Sequence, residues 1–292
     1  MKTYLIPVDF SDSMNVILDY ALFLADDQPT TLFLFHIFPD QLMVPDSSFP
    51  TGVDTDAFLS AEYIQELRKQ AESNMKDTVQ DLKKTIEKKG LKHIHIKSQV
   101  SGGDPEWEIS EVCHTLEPRL VIMGTRGEGN KGFLEGSMAE KIMVKSHRPV
   151  LAVPETTGKI RLKQVMYATS FESGDVESIL WINDFLKDHK ASIHIAHFRL
   201  KSKDEEAALR MDYLKESLDK VKDGHKFQFH LIDSEAKEDS LQTFVRDNEI
   251  DLISYIAHKK NIFKNLFSNK IHKKDFFRLE LPMLAMPDTN AS

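Results

Sequence analysis

One glycine-rich stretch of this sequence has the residue types and spacing of a phosphate-binding loop. Gly124 and Gly127 directly follow a short apolar run, and Gly136 and Ser137 stand just before a helical pattern. Glycines let backbone N–H groups approach a ligand without Cβ clashes, and a helix start offers unpaired donors and partial positive charge. Ser137 adds a hydroxyl donor. We therefore predict that this loop holds phosphate groups.

The loop differs from two common phosphate-binding motifs. It contains no Gly-Lys-Ser or Gly-Lys-Thr, so it is not a Walker A loop, and it follows the fourth strand pattern rather than the first, where a dinucleotide fingerprint would stand. A glycine-rich surface loop without a ligand is the alternative. Asp9 favours the nucleotide, because it ends the first strand pattern at the sheet edge where ligands bind, and its carboxylate can accept hydrogen bonds from ribose hydroxyls.

Alternating strand and helix patterns position these residues, which predicts an α/β fold with parallel strands covered on both faces. Residues 39–59 read as a long surface loop. In the first half we predict strands at 3–8, 30–38, 93–100, 120–123 and 149–153, and helices at 61–89, 105–116 and 137–146. A further helix, capped by Ser11 or Ser13, is predicted to carry the apolar residues Val16, Ile17, Tyr20, Ala21 and Leu24. In the second half we predict strands near 163–169, 191–198, 226–232, 250–256 and 283–286, and helices near 172–188, 203–222, 236–247 and 268–279.

The two halves of the chain are copies of one pattern. Pro-Val-Leu-Ala-Val-Pro at 149–154 and Pro-Met-Leu-Ala-Met-Pro at 282–287 close them, and residues 4–11 match residues 165–172. An internal repeat of this length implies two domains, which we place at 1–154 and 162–288. Since an unpaired terminal strand is usually covered, we predict that the final strands pair and form an intramolecular pseudo-dimer.

Composition limits the classes of function. Residues 1–154 hold 16 Lys and Arg against 23 Asp and Glu, so the half with the glycine loop is acidic and unsuited to nucleic acid. No apolar stretch is long enough to cross a membrane, and no signal-peptide pattern is present, so we expect a cytoplasmic protein. The single cysteine, Cys113, lies in an apolar helical pattern and is predicted to be buried. The histidines form no ligand spacing, and we predict no metal site.

The chain resembles the universal stress protein (UspA) family, in its tandem two-domain form, over nearly its whole length. The start Val8-Asp9-Phe10-Ser11 matches the family's first-strand signature, and Gly103-Asp104-Pro105 resembles its turn after the third strand. The glycine loop follows the pattern of the nucleotide-binding members, with one residue fewer between Gly127 and Gly136. The resemblance implies two flavodoxin-like (adenine nucleotide α hydrolase-like) domains, each a mostly parallel five-stranded sheet with helices on both faces.

The resemblance also implies a ligand and its contacts. The ligand is ATP or another adenine nucleotide, with Mg²⁺ left open. The nucleoside contacts fall on Asp9 and Val100, and the phosphate contacts fall on Gly124, Gly127, Gly136 and Ser137. In the second half Ser170 stands in place of Asp9, and 256–259 correspond to the start of the glycine loop without any glycine. We therefore expect nucleotide in the first domain only.

Three functions remain open from the sequence. The first is a regulatory protein that binds adenine nucleotide and a protein partner that the sequence does not identify, with further homodimerisation left open. The second is a protein-interaction module that binds no nucleotide, which the shortened loop favours. The third is a slow ATPase. We predict no enzyme and no catalytic residue, because Arg126 and Lys131 are the only cations near the loop and no second carboxylate can be placed there for a metal. The basic run 258–274 is interpreted as exposed surface charge.

Overall fold

The structure is a computed structural model, and it describes residues 1–11, 13–25, 28–40, 55–125, 138–155, 159–199, 206–220, 227–233, 240–258 and 279–288, with side chains omitted at 55–60. Its strands are β1 (Lys2–Pro7), β2 (Thr30–Phe38), β3 (Ile94–Gly102), β4 (Leu120–Gly124), β5 (Val150–Val153), β6 (Gln164–Ala168), β7 (Ser192–Arg199), β8 (Phe227–Asp233), β9 (Leu252–Ala257) and β10 (Met283–Pro287). Its helices are α1 (Met14–Ala25), α2 (Thr55–Lys89), α3 (Pro105–Leu116), α4 (Met138–Lys145), α5 (Asp175–Phe185), α6 (Ala207–Asp219) and α7 (Ser240–Asp247). The α/β class predicted from the sequence is confirmed.

The structure corrects one part of the element prediction and leaves another outside its range. Helix α2 begins at Thr55, inside the stretch that the sequence analysis assigned to a surface loop. Thr and Asp are residue types that favour helix starts as well as loops, so their presence in the sequence does not separate the two. The predicted helix at 268–279 falls almost wholly outside the described residues.

The chain divides into two compact units, and the first is Met1–Ile122. Its strands run parallel in the order β3-β2-β1-β4. Tyr4, Leu5 and Ile6 of β1 are completely buried, as expected for a strand covered on both faces. The strand order reverses between β1 and β4, which is where open α/β sheets bind ligands at the carboxyl ends of their strands.

The second unit is Met123–Ser292, and it repeats this arrangement. Its strand order is β8-β7-β6-β9-β10-β5, so β8-β7-β6-β9 corresponds to β3-β2-β1-β4. The backbone repeats as well. Phe10 and Phe171 both have positive φ after the first strand of their copy, at 59° and 61°, and Glu117 and Glu249 both have positive φ after equivalent helices, at 47° and 49°.

The final strands of the two repeats pair within the second unit, as predicted. Strand β5 runs antiparallel to β10, with Leu151 opposite Leu284, and every residue of β5 is buried. This pairing explains why the division falls at Ile122, because α4 and β5 pack with β10. The domain boundaries 1–154 and 162–288 stay predictions.

Candidate functional site

Asp9 stands directly after β1, at the predicted ligand-binding edge of the first unit. Its Oδ1 accepts hydrogen bonds from the Ser11 backbone N at 3.0 Å and from the Ser11 Oγ at 2.7 Å. The Ser11 and Ser13 hydroxyls are 2.8 Å apart. No described residue donates to Oδ2 of this half-buried carboxylate. One oxygen therefore fixes the turn, and the other has no donor among the described residues.

His36, on the neighbouring strand β2, holds the backbone on both sides of Asp9. Its Nδ1 lies 2.6 Å from the Val8 carbonyl oxygen, so Nδ1 carries the proton and donates. Its ring stacks on Phe10, with the ring centroids 4.3 Å apart. Phe10 has a φ of 59°, which is uncommon for a bulky residue and needs support from its surroundings. Asp9 therefore lies between two residues that one imidazole contacts.

Val100 lies inside β3, two residues before its end, rather than at the strand end as expected from the sequence. It is directly opposite His36 in the β2–β3 register, so β1, β2 and β3 place Asp9, His36 and Val100 along one edge of the unit. Val100 also borders a groove of about 540 Å³ between α2 and β3.

The turn after β3 matches the predicted Gly-x-Pro pattern. Gly103 has a φ of +142°, and a Cβ at this position would lie 2.9 Å from a Glu108 side-chain oxygen. Asp104 then caps α3, accepting a hydrogen bond from the Trp107 backbone N at 2.9 Å. Pro105 stands at the first turn of the helix, where its missing N–H is not needed. Glycine is therefore required at position 103 for both conformation and space.

The phosphate loop is described only at its two ends. Gly124 ends β4, and the next residue, Thr125, donates its backbone N–H to the Val153 carbonyl at 3.0 Å. The Thr125 side chain is fully buried, and its Oγ1 has no partner among the described residues. Helix α4 begins at Met138. The remaining predicted contacts, Gly127, Gly136 and Ser137, lie outside the described residues.

The equivalent turn of the second unit has a histidine in the place of His36 but no carboxylate in the place of Asp9. His197 Nδ1 is 2.8 Å from the Thr169 carbonyl, and its ring stacks on Phe171 at 4.4 Å. Ser170 stands in place of Asp9, and its buried Oγ has no partner within the described part of the chain. The unit therefore lacks the acceptor that Asp9 offers.

A carboxylate from the start of α5 takes over the structural role of Asp9. Asp175 Oδ1 accepts from the Tyr167 hydroxyl at 2.7 Å, and Oδ2 accepts from the Thr169 hydroxyl and from the Glu172 backbone N. Asp175 is only 2% exposed. Burial raises the pKa of its carboxyl group, while the hydrogen bond from Thr169 opposes this shift. Both oxygens are used internally, so this carboxylate cannot serve a ligand.

A cluster of one histidine and two carboxylates lies at the same edge of the second unit and was missed by the sequence analysis. His258 Nε2 is 2.9 Å from Glu172, and its Nδ1 is 3.0 Å from Asp288. The His258 side chain is 15% exposed, so the first residue of the basic run is not exposed surface charge as interpreted. Burial raises the pKa of Glu172, and His258 opposes this shift. Two carboxylates here disfavour a phosphate group.

Other features limit the chemistry of the described residues. No group of three or more His, Cys, Asp or Glu among them could hold a metal ion. No helix in the described ranges is both long and apolar enough to span a membrane. Cys113 is 3% exposed, as predicted.

The comparisons with known proteins all point to one family. Residues 1–154 match the model of the universal stress protein family. The chain is similar to universal stress protein MJ0577 of Methanocaldococcus jannaschii, with 26% identity over 52% of this chain and 94% of the relative. It is also similar to universal stress protein YxiE of Bacillus subtilis, with 27% identity over 51% of this chain and 96% of the relative.

One solved structure matches nearly the whole chain. It is a universal stress protein from Archaeoglobus fulgidus, with a TM-score of 0.68 and 15% identity, and the match covers 99% of this chain and 97% of that one. At this identity the likeness shows the fold alone, and it extends over both repeats.

Proposed function

This chain belongs to the universal stress protein family, and we propose that its first repeat binds ATP or a related adenine nucleotide as a regulatory ligand. The observation that carries the proposal is the Asp9 carboxylate. Its Oδ1 is fixed by Ser11, and no described residue uses Oδ2. It follows β1 beside the strand-order reversal, where ribose hydroxyls are commonly bound in α/β folds.

The phosphates would be held by the glycine loop in this proposal. Gly124 ends β4, the parallel neighbour of β1, and α4 begins directly after Ser137. The unpartnered Thr125 hydroxyl beside Gly124 is consistent with a polar ligand. Backbone amides suit this half of the chain, since its net negative charge would not attract phosphate by its general field.

The second repeat is proposed to be a structural copy that binds no nucleotide. Ser170 replaces Asp9, Asp175 uses both its oxygens internally, and His258 ties together two carboxylates at the same edge. A triphosphate at this edge would meet Glu172 and Asp288, and like charges repel strongly where water is scarce.

We propose regulation rather than turnover as the role of the nucleotide. Phosphoryl transfer needs Mg²⁺ and a positioned cation aimed at the leaving phosphates. Contacts that hold substrate and transition state equally give occupancy without rate. A slow ATPase is the alternative. Purified protein that turns over ATP at about 1 s⁻¹ or faster, with and without added Mg²⁺, and that loses this activity in Asp9→Asn would establish the ATPase instead.

A protein-interaction module without nucleotide is the second alternative, and the shortened glycine loop favours it. Mass spectrometry of small molecules released from the purified chain separates the two. Recovery of an adenine nucleotide from the wild type, and its loss in Asp9→Asn but not in Ser170→Ala, supports the proposal. Repeated absence from the wild type, together with no ATP binding by calorimetry, supports the interaction module.

A further inference from the structure

We propose that His36, together with Phe10, positions the Asp9 carboxylate against the ribose and so sets the preference for nucleotides that carry ribose hydroxyls. The inference rests on the proposed function and adds a positioning residue to it. In this proposal His36 does not contact the nucleotide itself. It acts through the backbone on either side of Asp9.

The residue before Asp9 is held by β2 through two hydrogen bonds. The Val8 backbone N donates to the Phe35 carbonyl at 2.8 Å, and the Val8 carbonyl accepts from His36 Nδ1 at 2.6 Å. Both polar groups of this peptide backbone are therefore satisfied by neighbouring residues of one strand. The first hydrogen bond continues the sheet ladder, and the second exists only because position 36 is a donor.

The residue after Asp9 is held by the same imidazole. Phe10 adopts a left-handed conformation, which persists only where the surroundings hold it in place. Its ring packs on His36 with centroids 4.3 Å apart, which fixes the direction in which the chain turns. With residues 8 and 10 fixed and Oδ1 bound to Ser11, the direction of Oδ2 is determined. Loss of His36 would release both flanking residues together.

The second repeat contains the same device without the carboxylate. His197 bonds to the Thr169 carbonyl at 2.8 Å and stacks on Phe171, whose φ is 61°. The residue between them is Ser170. The two histidines therefore share one structural role, and only His36 has a carboxylate to position. A purely structural device would affect stability in both repeats and ligand preference in neither.

The test compares binding of ATP and 2′,3′-dideoxyATP by calorimetry, since the second ligand lacks both ribose hydroxyls. The wild type should prefer ATP. His36→Leu should reduce this preference about tenfold, the size of one lost hydrogen bond to a charged group. His36→Asn should reduce it less than His36→Leu does, because the Asn amide can donate from about the same place but has no ring to pack on Phe10. His197→Leu, the matched control, should leave it unchanged.

A double variant shows whether His36 acts through Asp9. If it does, the double variant with His36→Leu and Asp9→Asn should prefer ATP over 2′,3′-dideoxyATP as much as Asp9→Asn alone does. Once the carboxylate is gone, His36 has nothing left to position, so the two effects should not add. Additive losses, an unchanged preference in His36→Leu, or an equal loss in His197→Leu would overturn the inference. If His36→Leu fails to fold, Phe10→Leu decides, and an unchanged preference there also overturns it.

The titrations distinguish failure of nucleotide binding from failure of the positioning role of His36. If the wild type binds no ATP, the proposed function fails. If it binds ATP with a preference over the dideoxy ligand, and that preference survives in the folded His36 and Phe10 variants, only the positioning inference fails. A wild type that binds both ligands equally contradicts the inference and leaves nucleotide binding intact.

Discussion

The two repeats use a carboxylate in different ways at the same turn. In the first, Asp9 lies two residues after β1, and Ser11 is its one hydrogen-bond partner among the described residues, through Oδ1. In the second, Asp175 enters from the helix, is nearly fully buried, and gives both oxygens to Tyr167, Thr169 and the Glu172 backbone. In both repeats the carboxylate accepts a hydrogen bond from an equivalent backbone N–H, that of Ser11 in the first and that of Glu172 in the second. With the carboxylate moved to the helix, both of its oxygens bond within the protein, whereas Asp9 bonds to described residues through one oxygen.

Gly127 gives the first residue-scale prediction. We expect Gly127→Val to lower ATP affinity at least tenfold, because a branched side chain would stand where backbone must approach phosphate. Ser170→Ala in the second repeat should leave ATP affinity unchanged. Isothermal titration calorimetry checks both, and full affinity in Gly127→Val would remove the glycine loop from the site.

Asp175 gives a second prediction, on stability. Asp175→Ala should lower the free energy of unfolding by about 2–5 kcal/mol, because it leaves two buried hydroxyls and one partly buried backbone N–H without their acceptor. Asp184→Ala is the control, since its ion pair with Lys187 is exposed and such pairs contribute about 0–1 kcal/mol. Urea unfolding measures both. Equal losses would show that the Asp175 network contributes no more than a surface pair.

At the scale of elements, β7 and β8 place the buried His194 against the partly buried His230. His194 Nε2 is 2.9 Å from the Gln164 side-chain oxygen and must donate to it, so its Nδ1 accepts from His230 Nε2 at 3.2 Å. Phe244 of α7 packs edge-on against both rings. Burial lowers the pKa of both histidines, and His230 lowers that of His194 further. Protonation of His194 would set one N–H against another.

This pair predicts a loss of stability in acid. Because the folded pKa values lie below the ordinary value of 6.5, the unfolded chain binds more protons as pH falls through this range. The stabilisation from this neutral histidine pair is complete above the unfolded pKa and is lost as the pH falls through the folded pKa values. His194→Gln should therefore reduce the fall in urea midpoint between pH 7 and pH 5. His95→Gln, on an exposed position of β3, should leave the fall unchanged, and equal curves for all three proteins would contradict the account.

The elements were largely predictable from the sequence, and the reasons are local. Strand β2 was predicted with its observed ends, because Thr30–Phe38 is mostly apolar and begins with two β-branched residues. The start of α3 was predictable from Pro105 after a capping Asp. The start of α2 was not, because Thr55 and Asp56 suit a loop and a first helical turn equally well. Boundaries of this kind depend on packing rather than on pattern.

The candidate site was predictable only in part, because spacing identifies strand ends and not side-chain partners. Asp9 and Gly124 were placed at strand ends by pattern; in the structure Gly124 ends β4, and Asp9 lies two residues after the end of β1. His36 was counted as one of several histidines, since its contact with Val8 joins residues far apart in the sequence. Glu172, His258 and Asp288 come from three separate segments. The positive φ shared by Phe10 and Phe171 could have been suspected from the matching of the two repeats.

At the scale of the whole molecule, the final strands of the two repeats stabilise each other. Leu151 and Leu284 face each other in the β5–β10 ladder, and equivalent residues of the repeats thus meet at its centre. Both are buried, at 3% and 1% exposure. An unpaired β5 would leave an apolar edge that natural proteins avoid.

This pairing predicts the effect of shortening a side chain at its centre. Leu284→Ala should lower the free energy of unfolding by about 2–5 kcal/mol, the usual result for a buried leucine. Leu209→Ala on α6 is the control, since Leu209 is 58% exposed, and its effect should stay within about 0.5 kcal/mol. Chemical denaturation measures both. A loss in Leu284→Ala no larger than in the control would show that the ladder contributes little.

The stoichiometry of ATP binding tests the central claim most directly. Calorimetric titration of the full chain, stripped of ligand by unfolding and refolding, should give one ATP per chain, with affinity reduced at least tenfold in Asp9→Asn and unchanged in Ser170→Ala. One site per chain follows from Asp9 in the first repeat and from the occupied carboxylates of the second. Two ATP per chain, full affinity in Asp9→Asn, or no binding by the refolded wild type would contradict the account.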